Sequence, residues 1–293
     1  MRSLIIGASG QLGWALCKAF SPAYQVIEAA HRHPRQGQLT LDLADAASTW
    51  KLLEEVRPDL VLVAGAITNV DGCEVNPGAC RRVNARGPGV VAEYARSSGA
   101  GVVFFSTDHV FDGLKASYTE SDPINPLNVY ARSKAEGEAA VRDMLPDRHL
   151  VIRTSWVYGP DRERRNFAFR LVDRLSAGEQ VPLPLDQWGS PTYTEDLASA
   201  TRFLIEHRHT GTFHATGPEL IDRVSLGRRI CARFGLDAGR IVPKPTCELG
   251  QDAPRPLRVK LECWKLRAAG AGEFRGVNAG LNCLWAWCVS QNQ

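Results

Sequence analysis

The chain has 293 residues, 44 % hydrophobic and 23 % charged, with a net charge of +3. This is close to the globular average and excludes a disordered, collagenous or coiled-coil chain. Charges of both signs are interspersed and no run reaches the ~18 apolar residues of a membrane span, so neither nucleic acid nor a membrane is expected as partner.

Residues 1–7 are a short apolar run leading straight into glycines, which reads as a buried strand and not as a secretory signal. A helix is expected over 11–20, a strand over 24–29, a helix over 50–57 and a continuous apolar strand over 60–64. One long helix is expected over 79–97, then a buried strand over 101–105. A helix over 126–145 would have Asn125 as cap and Pro126 at its first position, and a strand over 150–153 follows. Apolar strands without alternation, interleaved with helices, predict a parallel sheet covered on both faces. That is an α/β fold of the doubly wound, Rossmann type. Beyond Tyr158 the pattern changes, with helices expected near 166–176, 194–207 and 225–234, a strand near 211–215 and a proline-rich loop over 243–256.

Gly7, Gly10 and Gly13 follow the first strand in a G-x-x-G-x-x-G spacing and open the first helix. Glycines there permit a tight turn and close approach of a pyrophosphate to backbone N–H groups at a helix N-terminus. An NAD reader would carry an acid at the tip of the second strand, about 20 residues on. Here the tip reads His31-Arg32-His33, which favours the 2′-phosphate of NADP; a solvated basic turn is the plainer alternative. NADPH is therefore expected, with NADH as the alternative. Asp42-Leu43 would touch the adenine or simply form a loop.

Tyr130 and Lys134 stand four apart, on one face of a helix. A phenol of pKa ~10 that exchanges a proton near neutrality needs a cation nearby, and Lys134 is placed to supply it. Ser106-Thr107-Asp108 closes the strand over 101–105, and in parallel sheets ligands bind at the carboxyl ends of strands.

The eight cysteines, Cys17, Cys73, Cys80, Cys231, Cys247, Cys263, Cys283 and Cys288, show no metal or redox spacing. They are expected to be free, buried thiols of a cytoplasmic protein, bystanders to the chemistry. His31, His33, His207, His209 and His214 have no ligand spacing and are expected at the surface.

The glycine turn, the strand-end Ser-Thr-Asp and Tyr-x-x-x-Lys, in this order, resemble the extended short-chain dehydrogenase/reductase superfamily. Within it the chain is similar to the dTDP-4-dehydrorhamnose reductases, through residues 7–14, 64–71 with Glu74, Asn84, 106–113, 126–134 with Gly137 and Glu138, 153–159, Asn166-Phe167 and 186–192. The resemblance implies NADP(H)-dependent reduction of a nucleotide-linked 4-keto-6-deoxy sugar, as in dTDP-rhamnose biosynthesis. It implies Tyr130 as proton donor to the C4 oxygen, Lys134 on the nicotinamide ribose and Thr107 tuning both. Gly10, Gln11 and Leu12 would hold the pyrophosphate, and Ala64, Gly65 and Ala66 would line the far side of the cofactor. Thr107, Asp108, His109 and Trp156 would meet the substrate. His109 stands where these reductases usually have tyrosine, and Arg258-Val259 where they have Asn-Ser. Some members dimerise through a metal held by a glutamate where this chain has Ala15, so no metal is expected. A monomer or homodimer is expected. Residues 1–155 would form the NADP-binding domain, with 185–210 crossing back to it; 156–184 and 211–293 would form a smaller α/β substrate-binding domain. The alternatives are another sugar-nucleotide reductase or epimerase, and a non-catalytic NADP-binding subunit resembling methionine adenosyltransferase β.

Overall fold

A computed structural model describes residues 1–291. Its first half alternates β1 (Arg2–Ile6), α1 (Gln11–Phe20), β2 (Gln25–Ala30), β3 (Leu39–Thr40), α2 (Ala46–Val56) and β4 (Leu60–Val63). Next come α3 (Val70–Val75), α4 (Pro77–Arg81), α5 (Gly87–Ser98), β5 (Gly101–Thr107), α6 (Val129–Met144) and β6 (His149–Thr154). The second half adds β7 (Val157–Tyr158), α7 (Phe167–Ser176), β8 (Val181–Pro184), β9 (Trp188–Gly189), β10 (Thr192–Tyr193) and α8 (Thr194–Glu206). It ends with β11 (Gly211–His214), β12 (Ile221–Asp222), α9 (Arg223–Phe234), β13 (Ile241–Lys244), α10 (Trp264–Ala268) and α11 (Val277–Gln291).

Seven strands form one sheet in the order β11-β6-β5-β4-β1-β2-β3, every neighbouring pair parallel. The strand order reverses between β1 and β4, which places the ligand crevice of a doubly wound sheet beyond their carboxyl ends. Leu4, Val61, Val63 and Phe104 point to one face, against Leu53, Val91, Ala95 and Val141 of the covering helices. Ile5, Leu62, Val103 and Ile152 point to the other, against Leu16 and Phe20 of α1 and Leu197 and Leu204 of α8. This burial of both faces is why the strands read as continuous apolar runs. A third core, built by Phe169, Leu171, Leu183, Ile230 and Leu281, joins α7, β8, α9 and α11. Among the described residues no helix is long and apolar enough to cross a membrane.

Four expectations are corrected. The stretch read as one helix over 79–97 is α4, a π-helical turn Arg82–Arg86, and α5. Pro88 has no amide hydrogen to donate to the carbonyl one turn back, so the regular ladder cannot pass through it. The helix that carries Tyr130 and Lys134 begins at Val129, capped by Asn128, whose Oδ1 accepts from the Ala131 N–H at 2.8 Å, instead of at Pro126 with Asn125 as cap. Gly211–His214 does not belong to the second unit: it pairs with β6 and extends the main sheet, and Leu266 packs into the same core. His214 is fully buried and not at the surface, because β11 lies under α10 and the 118–120 segment; burial pushes its imidazole down to about 3.

Candidate active site

The turn after β1 is packed backbone to backbone against the turn after β4. A Cβ on Gly7, where φ is +90°, would come within 2.5 Å of the Gly65 nitrogen. A Cβ on Gly13 would meet the Gly7 carbonyl oxygen at 2.1 Å. Only glycine permits either approach. Gly10 differs: its Cβ position has only the Gly7 oxygen nearby, at 3.4 Å, and no side chain caps α1. The helix N-terminus is thus open to an anion. Leu43 lies beneath Gly65, while Ala64 and Ala66 are half-buried beside it. Leu12 is turned into the core. At the tip of β2, His31, Arg32 and His33 are all exposed, and the Asp42 carboxylate is 3.5 Å from His31 Nε2. Glu28 is inside the strand, and its carboxylate accepts from Gln38 Nε2 at 2.7 Å. These residues fit a phosphorylated dinucleotide, with a glycine cradle at one end and imidazole and guanidinium groups at the other.

Farther along the sheet edge, β5 delivers Thr107 and Asp108, and the cap at Asn128 sets the start of α6 and so the positions of Tyr130 and Lys134. The Thr107 hydroxyl donates to Asp108 Oδ1 at 3.1 Å and accepts from the His109 N–H at 3.2 Å. Asp108 Oδ2 accepts from Ser155 Oγ at 2.5 Å. Tyr130 is buried, and burial pushes its phenol above the usual range; the bond with Thr107 pulls the other way. Desolvation is the dominant influence on this phenol. Lys134 Nζ lies over the Phe104 ring, 3.9 Å from its centroid.

Burial lowers the Lys134 ammonium to about 7, against the pull of Glu138. The unfolded chain therefore holds this proton, between about pH 7 and 10.5, where the folded chain has released it. The contribution of Lys134 to stability is then greatest above that window and is lost as pH falls toward 7. Melting temperature should climb from about pH 7.5 to about pH 9.5 more steeply in the unsubstituted protein than in Lys134→Met. Parallel melting curves would refute the assignment.

Gln11, Thr107, Asp108, His109, Tyr130 and Trp156 come together on one cavity of about 850 Å3 between the sheet edge and the second unit. Gln11 ties the two: its Nε2 donates to the Val157 carbonyl at 3.2 Å, and its Oε1 accepts from Asn166 Nδ2 at 3.1 Å. The sequence-predicted His31, Arg32, Asp42 and Lys134 are not on this cavity wall.

Four arginines outside the sequence-predicted site residues, Arg165, Arg170, Arg223 and Arg255, also line the cavity. Arg223 opens α9, half-buried, with its guanidinium 3.4 Å from the Trp156 ring centroid and 4.6 Å from that of Phe167. Burial lowers it to about 9, which leaves it a cation at neutral pH. Trp156 adopts φ +42°, a left-handed conformation costly for a bulky residue. Its indole fits only because Gly189 has no Cβ, which would lie 2.4 Å away. Arg255 makes a two-pronged pair with Asp71, at 2.6 and 3.1 Å, drawing the 253–256 segment to the cavity mouth. His109 is edge-on to Tyr130, with ring centroids 5.9 Å apart, and burial keeps its imidazole neutral by lowering its pKa. No local signal marked Arg223: helix-opening arginines after an Asp cap are commonplace, and only the fold turns this one inward.

The sequence profile of the family described as RmlD substrate binding domain matches residues 1–286. The chain belongs to this family. A relative, dTDP-4-keto-6-deoxy-D-glucose reductase of Streptomyces niveus, is 34 % identical over 277 residues, covering 94 % of this chain and 93 % of that protein. Methionine adenosyltransferase 2 subunit beta of Mus musculus is 28 % identical over 299 residues, covering 99 % of this chain and 89 % of that protein. Among solved structures, dTDP-4-dehydrorhamnose reductase of Bacillus anthracis in complex with NADP superposes with a TM-score of 0.89 at 28 % identity, covering 97 % of this chain and 98 % of that one. The doubly wound fold is therefore shared along almost the whole RmlD-family chain.

Proposed function

We propose that this chain is an NADPH-dependent oxidoreductase that reduces the C4 ketone of a nucleotide-linked 4-keto-6-deoxy sugar, converting dTDP-4-dehydro-L-rhamnose to dTDP-L-rhamnose. The observation that carries this reading is the convergence of Thr107 and Tyr130, with Lys134 one turn on, at the end of β5, against a cavity lined by arginines. The Streptomyces niveus reductase and the NADP complex from Bacillus anthracis support it.

Gly7, Gly10 and Gly13, with the N–H groups of Gln11 and Leu12, would hold the cofactor's pyrophosphate at the α1 N-terminus. Ala64, Gly65, Ala66, Asp42 and Leu43 would line it, His31 and Arg32 would take its 2′-phosphate, and Lys134 its nicotinamide ribose. When bound, the cofactor supplies the reducing equivalent to the ketone carbon. Tyr130 keeps its proton at neutral pH because it is buried, so it is an acid ready to protonate the ketone oxygen as charge develops there. Thr107 lines the same cavity as that phenol and would steady it as the proton leaves. Asp108, His109 and Trp156 would shape the sugar pocket. Arg223, cationic and desolvated, would hold the substrate diphosphate.

Consumption of NADPH on addition of dTDP-4-keto-L-rhamnose tests the proposal directly. The likeness to the Mus musculus subunit favours a second reading, a non-catalytic NADP-binding regulatory subunit. Absence of turnover together with tight cofactor binding would support that reading and sink the first. Within the first, Arg223→Ala should raise KM for the nucleotide sugar by roughly 10- to 100-fold, the worth of a charge-assisted hydrogen bond, with KM for NADPH unchanged. An unchanged sugar KM would remove Arg223 from the diphosphate site.

A further inference from the structure

We propose that Cys73 and Cys80 form a redox-modification site, a dithiol that closes to a disulfide beneath the catalytic helix and slackens its hold. The two residues lie on consecutive short helices, α3 and α4. Asn76 caps α4, accepting from the Ala79 N–H at 3.0 Å, and Pro77 starts it, so the chain folds back between the cysteines. Their sulfurs face each other at 2.6 Å in a buried pocket shared with Tyr130. A bond of about 2.05 Å is a sub-ångström shift away. This proposal departs from the expectation that the cysteines are bystanders, while both remain free, buried thiols in the structure. The expectation that all are buried fails for Cys247, which is exposed, and for Cys263, Cys283 and Cys288, which are half-buried.

What surrounds the pair gives the bond a consequence. Cys80 Sγ lies 3.2 Å from Ser133 Oγ, and Ser133 stands between Tyr130 and Lys134 on α6. Asn84 Nδ2 donates to Ser133 Oγ at 3.1 Å and to the Ile67 carbonyl at 2.9 Å, and its Oδ1 accepts from the Ile67 N–H at 2.9 Å. This network joins the segment after β4 to the catalytic helix. On the Cys73 side, Glu74 Oε1 accepts from the Val129 N–H, at the first turn of α6, at 2.7 Å. A sulfur drawn toward Cys73 leaves the Ser133 hydroxyl, and rotation of α3 strains the Glu74 contact. The π-helical turn at Arg82–Arg86 lies directly beyond Cys80 and gives the chain the slack to move.

The oxidant is a low-molecular-weight disulfide. One cysteine thiolate attacks it, releasing one small thiol and leaving a mixed disulfide; the second thiolate then displaces the other small thiol. The two cysteine protons end on the two released thiols. The protein gives up two electrons, and the small disulfide gains them. Burial raises the Cys73 thiol well above its usual range and both sulfurs are covered, so the reaction requires local opening of α3 and α4. It is therefore slow beside reaction at Cys247.

The test uses the unsubstituted full chain and does not depend on the proposed reaction. The protein is incubated in oxidised glutathione, quenched in acid, alkylated and mapped by peptide mass, with hydrogen exchange measured in parallel. The expected result is a Cys73–Cys80 cross-linked peptide lighter by two hydrogens and severalfold faster exchange over residues 129–134. Both should be reversed by dithiothreitol and absent from Cys73→Ser. Recovery of both cysteines as alkylated thiols after prolonged oxidation would overturn the site. A cross-link with unchanged exchange over 129–134 would overturn its effect on the catalytic helix.

Discussion

Replacement of Tyr130 by phenylalanine should lower kcat for sugar-nucleotide reduction by about 10²- to 10⁴-fold, the usual worth of a positioned general acid. The change removes one oxygen and keeps the ring. The edge-on contact with His109 and the place of the ring beside Cys73 and Cys80 therefore survive. Cofactor affinity should be unaffected, because the residues proposed to hold the pyrophosphate belong to the turn after β1 and the start of α1. Loss should fall on kcat more than on KM, since the phenol's proton matters as charge develops on the ketone oxygen. Steady-state NADPH oxidation, with a separate cofactor titration, measures both quantities. An unchanged rate would refute Tyr130 as proton donor.

A second large effect is expected on stability. Glu138 on α6 and Arg153 on β6 form a pair almost completely withdrawn from water, at 2.7 to 3.2 Å through two guanidinium nitrogens. Arg153 also lies over the Phe111 ring, 5.1 Å from its centroid. Glu138→Leu should cost about 3–5 kcal/mol, because it strands a buried cation while saving little. For a chain of this size that is a fall of about 10 °C in melting temperature. Pairing it with Arg153→Met should recover much of the loss, since the desolvation of both charges is then avoided. Glu138 is one turn beyond Lys134 and supports that ammonium, so the single variant should also lower the Lys134 pKa below its present value of about 7. A melting temperature unchanged in Glu138→Leu would contradict the account of the pair.

The parallel sheet was legible from the apolar runs at 60–64 and 101–105, because strands buried on both faces have no polar side to alternate with. The glycine turn was legible because its backbone contacts exclude any Cβ. Tyr130 and Lys134 were legible because four residues span one helical turn. Where the reading failed, the deciding interaction was remote in sequence. Asn125 and Asn128 are equally good caps on paper. Asn128 caps α6 while its amide also donates to the Pro254 carbonyl at 2.8 Å, a contact 126 residues away. Gly211–His214 looked like any short strand, and only the free edge of β6 drew it into the main sheet.

The sequence by itself determined the α/β class, the glycine turn and the Tyr-x-x-x-Lys spacing on one helix, because each depends on local spacing: a period of strand and helix, a missing Cβ, a turn of helix. Only the tertiary structure decided which charges are withdrawn from water. It brought Arg223 under Trp156 and Glu138 against Arg153, and it set the Cys73 sulfur against that of Cys80. Burial sets the pKa values of Tyr130 and Lys134, and burial belongs to the packed chain, not to any segment of it.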